Sequence, residues 1–395
     1  MSAVGQVEIT GVGMHPFGRF PEKSLKDMVR EAAGRALVDA GLGIHDIDAV
    51  YCSNGMAGML QGQEQVRGQS ALRDIGIERV PIVNIDNACA GGSSALREAT
   101  IAVRAGVADT VLVVGFEKMF VEDRDRTLAA LETAADIELT GGLGLQFTAV
   151  YAMRLRKRID AGLLTEQDLV DVTIKSHRNG SLNPNAQHRT EVTAEQVRGS
   201  RRIADPLTLL MCSSFSDGAA AVVVRRAGAG VDGRPHIRVR AAVGVSGYSA
   251  GPEEDYLPST ATDAAQKAYE SAGLGPEDID VAECHDAMAP GELLYYEQLG
   301  LCKPGEAGEL LRSGATSIGG RVAVNPSGGL SSRGHPVGAT GLAQICEMTW
   351  QLRGEAGPRQ SGQPRIALAQ NSGGWLSGEP AACNVHILER TDPWS

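Results

Sequence analysis

The sequence predicts an α/β chain made of two similar halves. Three observations carry that prediction. Apolar strand-like runs alternate with stretches of helical periodicity from residue 7 onward. A local pattern near residue 40 returns near residue 272. Gly-rich turns stand at the starts of two matched helical segments, one holding Cys89 and the other His335.

The repeat is concrete. Ala40-Gly41-Leu42-Gly43, continuing to Asp46-Ile47-Asp48 and Cys52, is matched by Ala272-Gly273-Leu274-Gly275, continuing to Asp278-Ile279-Asp280 and Cys284. Further on, Asn84 to Ala95 lies over a stretch around Arg333 to Leu342. Cys89 then falls on His335, Gly92 on Gly338, Ser93-Ser94 on Ala339-Thr340 and Leu96 on Leu342. The two offsets differ slightly, which an insertion absorbs. Together they indicate an internal duplication of a half of roughly 120–170 residues. Halves paired about a pseudo-twofold axis would bring a thiol and an imidazole to one cleft, which is what nucleophilic catalysis requires.

The elements follow in order. Residues 7–13 read as a strand and His15-Pro16-Phe17-Gly18-Arg19 as a turn. Leu25 to Ala40 is a helix with Gly41 as its cap. Ile47 to Tyr51 is a strand, and 54–75 a polar, Gly-rich surface loop. Val80 to Val83 leads into the Cys89 turn, and a helix runs from Ser94 to about Ala105. Gly91 and Gly92 allow the tight turn. The free N–H groups of the helix's first turn are expected to lower the thiol's pKa. A lone cysteine at such a place more often fills a packed turn; the matching His335 stretch is what favours chemistry. Val111 to Val114 is a continuous apolar run, the pattern of a strand buried on both faces.

From Lys118 the alternation breaks. Residues 118–206 form an insertion with helices at Leu128–Ala135, Phe147–Ala161 and Thr165–Ser176, and substrate specificity is expected there. The first half, 1–117, resumes at 207–225 with small residues entering the strand Ala221–Val224. A linker is expected at 226–235. The second half, 236–395, contains strands at His236–Val243, Ile279–Cys284, Val322–Asn325, Ile366–Gln370 and Asn384–Leu388. Its helices are Thr260–Ala272, Glu292–Leu299 and Gly341–Leu352.

Composition narrows the function. The net charge of −11, with no basic block, argues against nucleic acid. No run approaches the ~20 apolar residues of a membrane span. Seven cysteines without CxxC spacing argue against a disulfide framework or zinc site and for a reducing, cytoplasmic setting. Neither a leader nor a targeting tripeptide is expected at the ends shown.

The motifs resemble those of the thiolase superfamily over nearly the full length. They are Asp86-Asn87-Ala88-Cys89-Ala90-Gly91-Gly92-Ser93, Ser214-Phe215-Ser216-Asp217-Gly218-Ala219-Ala220, His285-Asp286, Asn325-Pro326-Ser327-Gly328-Gly329 and Gly334-His335-Pro336-Val337-Gly338-Ala339-Thr340-Gly341. The His-Asp pair is most similar to the sterol-carrier-protein-type and archaeal-type branch. The resemblance implies a layered αβαβα fold and a homodimer. It implies that Cys89 takes an acyl group from a coenzyme A or carrier-protein thioester, that His335 accepts its proton, and that His285 helps hold an oxyanion. Asn325, Gly374 and Ser332 are expected to position the substrate or the oxyanion. No bound cofactor or metal is expected, coenzyme A entering as part of the substrate. Relatives of this branch work with an OB-fold and zinc-ribbon partner, which here would be a separate polypeptide.

Two departures from the pattern stand out. The place of the family's second thiol reads Asn371-Ser372-Gly373-Gly374 here, and after His285-Asp286 come Ala287 and Met288. Cys284 and Cys383 sit in or beside apolar strands and are expected in the core. The loss leaves three readings: acyl transfer or condensation, a retro-aldol or thiolytic lyase acting on a steroid or fatty side chain with Tyr295 and Tyr296 as candidate acid/bases, and a catalytically silent scaffold subunit.

Overall fold

The computed structural model describes residues 5–144, 146–229, 233–248, 260–376 and 378–391. Its strands are β1 (Val7–Gly18), β2 (Ala49–Ser53), β3 (Ile82–Ile85), β4 (Thr110–Lys118), β5 (Arg202–Ala204), β6 (Leu207–Thr208), β7 (Asp217–Arg226), β8 (His236–Ser246), β9 (Val281–Glu283), β10 (Ala323–Val324), β11 (Ile366–Gly373) and β12 (Ala382–Thr391).

Ten strands hydrogen-bond in the order β10-β9-β11-β12-β8-β1-β7-β4-β2-β3. The order is palindromic. In the first half β2 pairs in parallel with β3 and β4, and β7 runs antiparallel to both β4 and β1. In the second, β9 pairs in parallel with β10 and β11, and β12 runs antiparallel to both β11 and β8. The halves join where β1 meets β8, at Glu8 opposite Arg238 and Ile9 opposite Ile237.

Alternation along the inner strands assigns the layers. Val111 and Val113 of β4 pack into a central layer, while Leu112 and Val114 pack outward against the helix Leu25–Asp39. In β11, Ala367 and Ala369 face the centre, and Ile366 and Leu368 face the outer layer containing the helix Thr260–Ala272. The central layer holds the helices Gly91–Arg104 and Thr340–Arg353. The five layers are thus αβαβα, as the resemblance implied. Thr340–Arg353 is buried almost all round, which suits a helix clad by sheet on both sides.

Several sequence expectations shift. The expected turn at residues 15–19 is the end of β1, which runs to Gly18. Pro16 falls at a break in the ladder to β7, where its missing N–H costs no bond. The expected loop 54–75 contains the helices Ala57–Gln61 and Arg67–Leu72. The insertion folds as helices Arg124–Glu132, Phe147–Asp160 and Glu166–Ser181, the last begun by a Thr165–Asp168 capping box. Its closing hairpin, β5 with β6, runs past residue 206 to Thr208. Within the expected linker, residues 230–232 lie outside the described residues.

Candidate active site

The Cys89 turn begins where β3 ends. Asp86 Oδ1 accepts from the Ala88 N–H at 3.0 Å, and Asn87 Nδ2 donates to Ser94 Oγ at 2.8 Å. Ala88 sits at φ 48°, a left-handed position costing a non-glycine residue about 1–2 kcal/mol. The turn then delivers Cys89 just before the helix Gly91–Arg104. The two central helices start almost in contact. A Cβ on Gly92 would lie 2.9 Å from the Gly338 carbonyl oxygen, and one on Gly341 would lie 2.2 Å from Ser93 Oγ. Glycine is required here for approach.

This crossing brings the chemistry together. The Cys89 sulfur and a ring nitrogen from each of His285 and His335 all lie within 4.8 Å of one another. The imidazoles meet edge to face, centroids 5.2 Å apart. Cys89 and both histidines open on a cavity of about 390 Å³. A thiol with two imidazoles is also a donor set that a zinc ion accepts; among the described residues no fourth His, Cys, Asp or Glu joins the group.

The neighbours give the two imidazoles opposite proton positions. Thr340 Oγ1 donates its proton to the Pro336 carbonyl at 2.9 Å, so it accepts from His335 Nδ1 at 2.6 Å. His335 Nε2 therefore keeps a lone pair. Asn371 Nδ2 can only donate, so His285 Nδ1 accepts at 2.9 Å and Nε2 carries the proton. Ser93 Oγ donates to Asn371 Oδ1 at 2.9 Å, in keeping with the same amide orientation. In the sequence Asn371 stands at the place of the family's second thiol and Thr340 within the Gly334–Gly341 motif, and neither position alone reveals these contacts.

The electrostatics correct one expectation. Burial pushes the Cys89 thiol up to about 12, and the Glu117 carboxylate adds to the rise, although the backbone N–H groups of Cys89 and Gly374 favour the thiolate. The helix start does not outweigh desolvation. Burial, with Arg333 nearby, pushes His335 down to about 3. His285 is held well below its usual value by burial, then by His335 and Arg333. The resting pair is thus neutral thiol and neutral imidazole. Glu117, itself raised by burial to about 7, accepts from the N–H groups of Gly55 at 3.0 Å, Met56 at 3.1 Å and Gly338 at 3.1 Å. It ties the His335 loop to the first half.

Gly374 lines the cavity beside Cys89. Asn325 and Ser332 do not. Asn325 is fully buried at φ 51°, accepts from the Cys284 N–H at 2.9 Å and donates to Glu292 at 2.9 Å. Ser332 is fully buried and donates to the His188 carbonyl at 2.8 Å. The expectation that these two meet substrate is corrected: both brace the loops that carry His285 and His335. Cys284 and Cys383 are buried, as expected of core cysteines. Tyr295 lines the cavity, whereas Tyr296 is turned away and bonded to Glu292 and to Thr316 Oγ1. Much of the cavity wall comes from the insertion, including Leu128, Phe147, Tyr151, Arg154 and Ile203.

A five-layered α/β fold with a cysteine and two histidines at the crossing of its central helices defines a thiolase-type protein. Family models agree: the Thiolase, N-terminal domain model matches residues 7–228 and the Thiolase C-terminal domain-like model matches 242–390. An acetyl-CoA acetyltransferase of Methanothermobacter thermautotrophicus is 40% identical over 97% of this chain and 99% of that one. The benzoylsuccinyl-CoA thiolase subunit BbsB of Thauera aromatica is 37% identical over 93% of this chain and 95% of its own length. A solved structure described as an Ltp2-ChsH2(DUF35) aldolase superposes with TM-score 0.82 at 25% identity, covering 98% of this chain and 99% of that one. The chain belongs to the thiolase superfamily and is an enzyme of its acyltransferase type.

Proposed function

We propose that the chain transfers or condenses acyl groups through an acyl-Cys89 intermediate drawn from an acyl-CoA thioester. The observation that carries this reading is the meeting of the Cys89 sulfur with two oppositely protonated imidazoles on one cavity. His335 Nε2 takes the thiol proton as sulfur attacks the thioester carbon. The Cys89 and Gly374 N–H groups face the oxygen that gains charge. The carbon–sulfur bond to coenzyme A breaks, and the imidazolium returns its proton to the departing thiolate. His285 Nε2–H holds the enolate or carbonyl oxygen of the second substrate. Arg124 and Arg201, both exposed on the cavity lining, suit the phosphates of coenzyme A. Phe147, Val150 and Leu128 suit an apolar acyl chain.

A retro-aldol lyase is the second reading, supported by Tyr295 on the cavity wall and the aldolase likeness. Incubation with acetyl-CoA followed by intact-mass measurement separates the two. One added acetyl group, absent from Cys89→Ser, is expected. No adduct with any thioester, together with cleavage of a β-hydroxyacyl-CoA, would replace the first reading by the second. A homodimer through the edge strand β3, where Val83 and Asn84 are exposed, belongs to the same proposal. So does a separate OB-fold and zinc-ribbon partner, supported by the DUF35 component named in the aldolase complex. No described helix is long and apolar enough to cross a membrane.

A further inference from the structure

Among the described residues, the buried basic side chains follow a rule with one exception. Arg158, Lys175, Arg333 and Arg359 are each at least nine-tenths buried, and each has a carboxylate against it. Arg158 meets Glu297 at 2.9 Å, Arg333 meets Glu283 at 2.9 Å and Arg359 meets Glu347 at 2.9 Å, while Lys175 is bonded to Glu292. Such pairing is what a buried charge requires. Arg154 is 8% exposed, and among the described residues no carboxylate lies within ion-pair reach of it. One Nη2 bond to the Gly378 carbonyl is its hydrogen bond to protein.

Arg154 is also the only one of the five that lines the cavity at Cys89. It lies on the face of the helix Phe147–Asp160 that presents Phe147, Val150 and Tyr151 to the same space. Tyr151 stands one turn earlier and lines the same cavity as Cys89. The cavity's own acid, Glu132, accepts from Gln146 Nε2 at 2.9 Å and, among the described residues, pairs with no arginine. A guanidinium left with free N–H groups in a mostly apolar pocket is a site awaiting an anion, and its planar fork matches a carboxylate.

We propose that Arg154 selects acyl thioesters whose acyl chain ends in a carboxylate. The proposal rests on the acyl-CoA reading above and names the class of acyl group. Arg124 and Arg201 are exposed, unlike Arg154, which separates a coenzyme A end from an acyl end.

The test compares glutaryl-CoA with valeryl-CoA, equal in chain length and different in terminal charge. Affinities are measured calorimetrically in the Cys89→Ser background, and Cys89 acylation rates are measured by intact mass in the native protein. Glutaryl-CoA is expected to bind at least ten-fold more tightly than valeryl-CoA. Arg154→Gln is expected to cut that ratio about 10–100-fold, as loss of a charge-assisted bidentate contact does, and Arg154→Lys to restore part of it. Circular dichroism and melting confirm that both variants fold. Equal native affinities for the two thioesters would overturn the proposal. So would an Arg154→Gln loss equal for both, which would assign the arginine to the phosphates. A preserved affinity ratio without acylation by either thioester would leave Arg154's selectivity standing and sink the acyl-Cys89 chemistry instead.

Discussion

The two halves repeat one strand arrangement and differ most in a single connection. In the second half β11 reaches β12 through residues 374–381. In the first, the equivalent passage from β4 to β7 takes residues 119–216 and carries the helices of the insertion. The short connection contributes Gly374, whose N–H faces the reacting sulfur. The long one contributes Phe147, Tyr151 and Arg154, which wall the space beyond it. The difference separates two tasks. The repeated scaffold positions Cys89, His285 and His335, and the unrepeated segment shapes much of the cavity around them.

The same contrast holds between the imidazoles, and it can be broken by mutation. On the proposed mechanism His335→Asn removes the base for the thiol proton, so acylation should fall about 10³–10⁴-fold in single-turnover measurements. Asn371→Asp offers His285 Nδ1 an acceptor, draws the proton to that side and strips Nε2 of its hydrogen. Condensation should fall about 10²–10³-fold, as for loss of an oxyanion donor. Formation of the acyl adduct should be largely spared, and a matching loss in adduct formation would show that the two rings do not divide the work in this way.

The pH response sharpens the same point. With the thiol raised to about 12 and His335 lowered to about 3, raising the pH increases the thiolate and leaves the imidazole neutral. Alkylation of Cys89 by iodoacetamide should be slow at neutral pH and climb about ten-fold per pH unit through pH 9–10. A plateau below pH 8 would indicate a preformed thiolate–imidazolium pair. The smallest effects concern glycine. Gly341→Ala should cost about 1–3 kcal/mol in denaturant titrations, because its Cβ meets Ser93 across the helix crossing. Gly34→Ala, in the outer helix with open space around it, should stabilise by about 0.5–1 kcal/mol.

Much of the scaffold was legible in the sequence because it is periodic and doubled. Cys89 is marked by its Gly-rich turn and falls on His335 when one half is laid over the other, and Val111–Val114 is marked by its unbroken apolar run. What was not legible depends on distance rather than order. The thiol's raised pKa comes from desolvation and from Glu117, which a reading of the helix start cannot see. Asn325 and Ser332 sit inside motifs, yet the fold turns their side chains into the supports behind the cavity. In the sequence Arg154 is one of several charges on an inserted helix; the lack, among the described residues, of a carboxylate partner at its buried position distinguishes it from Arg158, one turn on.

The near-contact of Gly92 with Gly338 has a consequence for how such a centre could arise. A lone half docking on an identical copy would place the same side chain on both sides of the axis, sulfur opposite sulfur or ring opposite ring. Only once both copies share one polypeptide, free to diverge, can a nucleophile stand across from its own base.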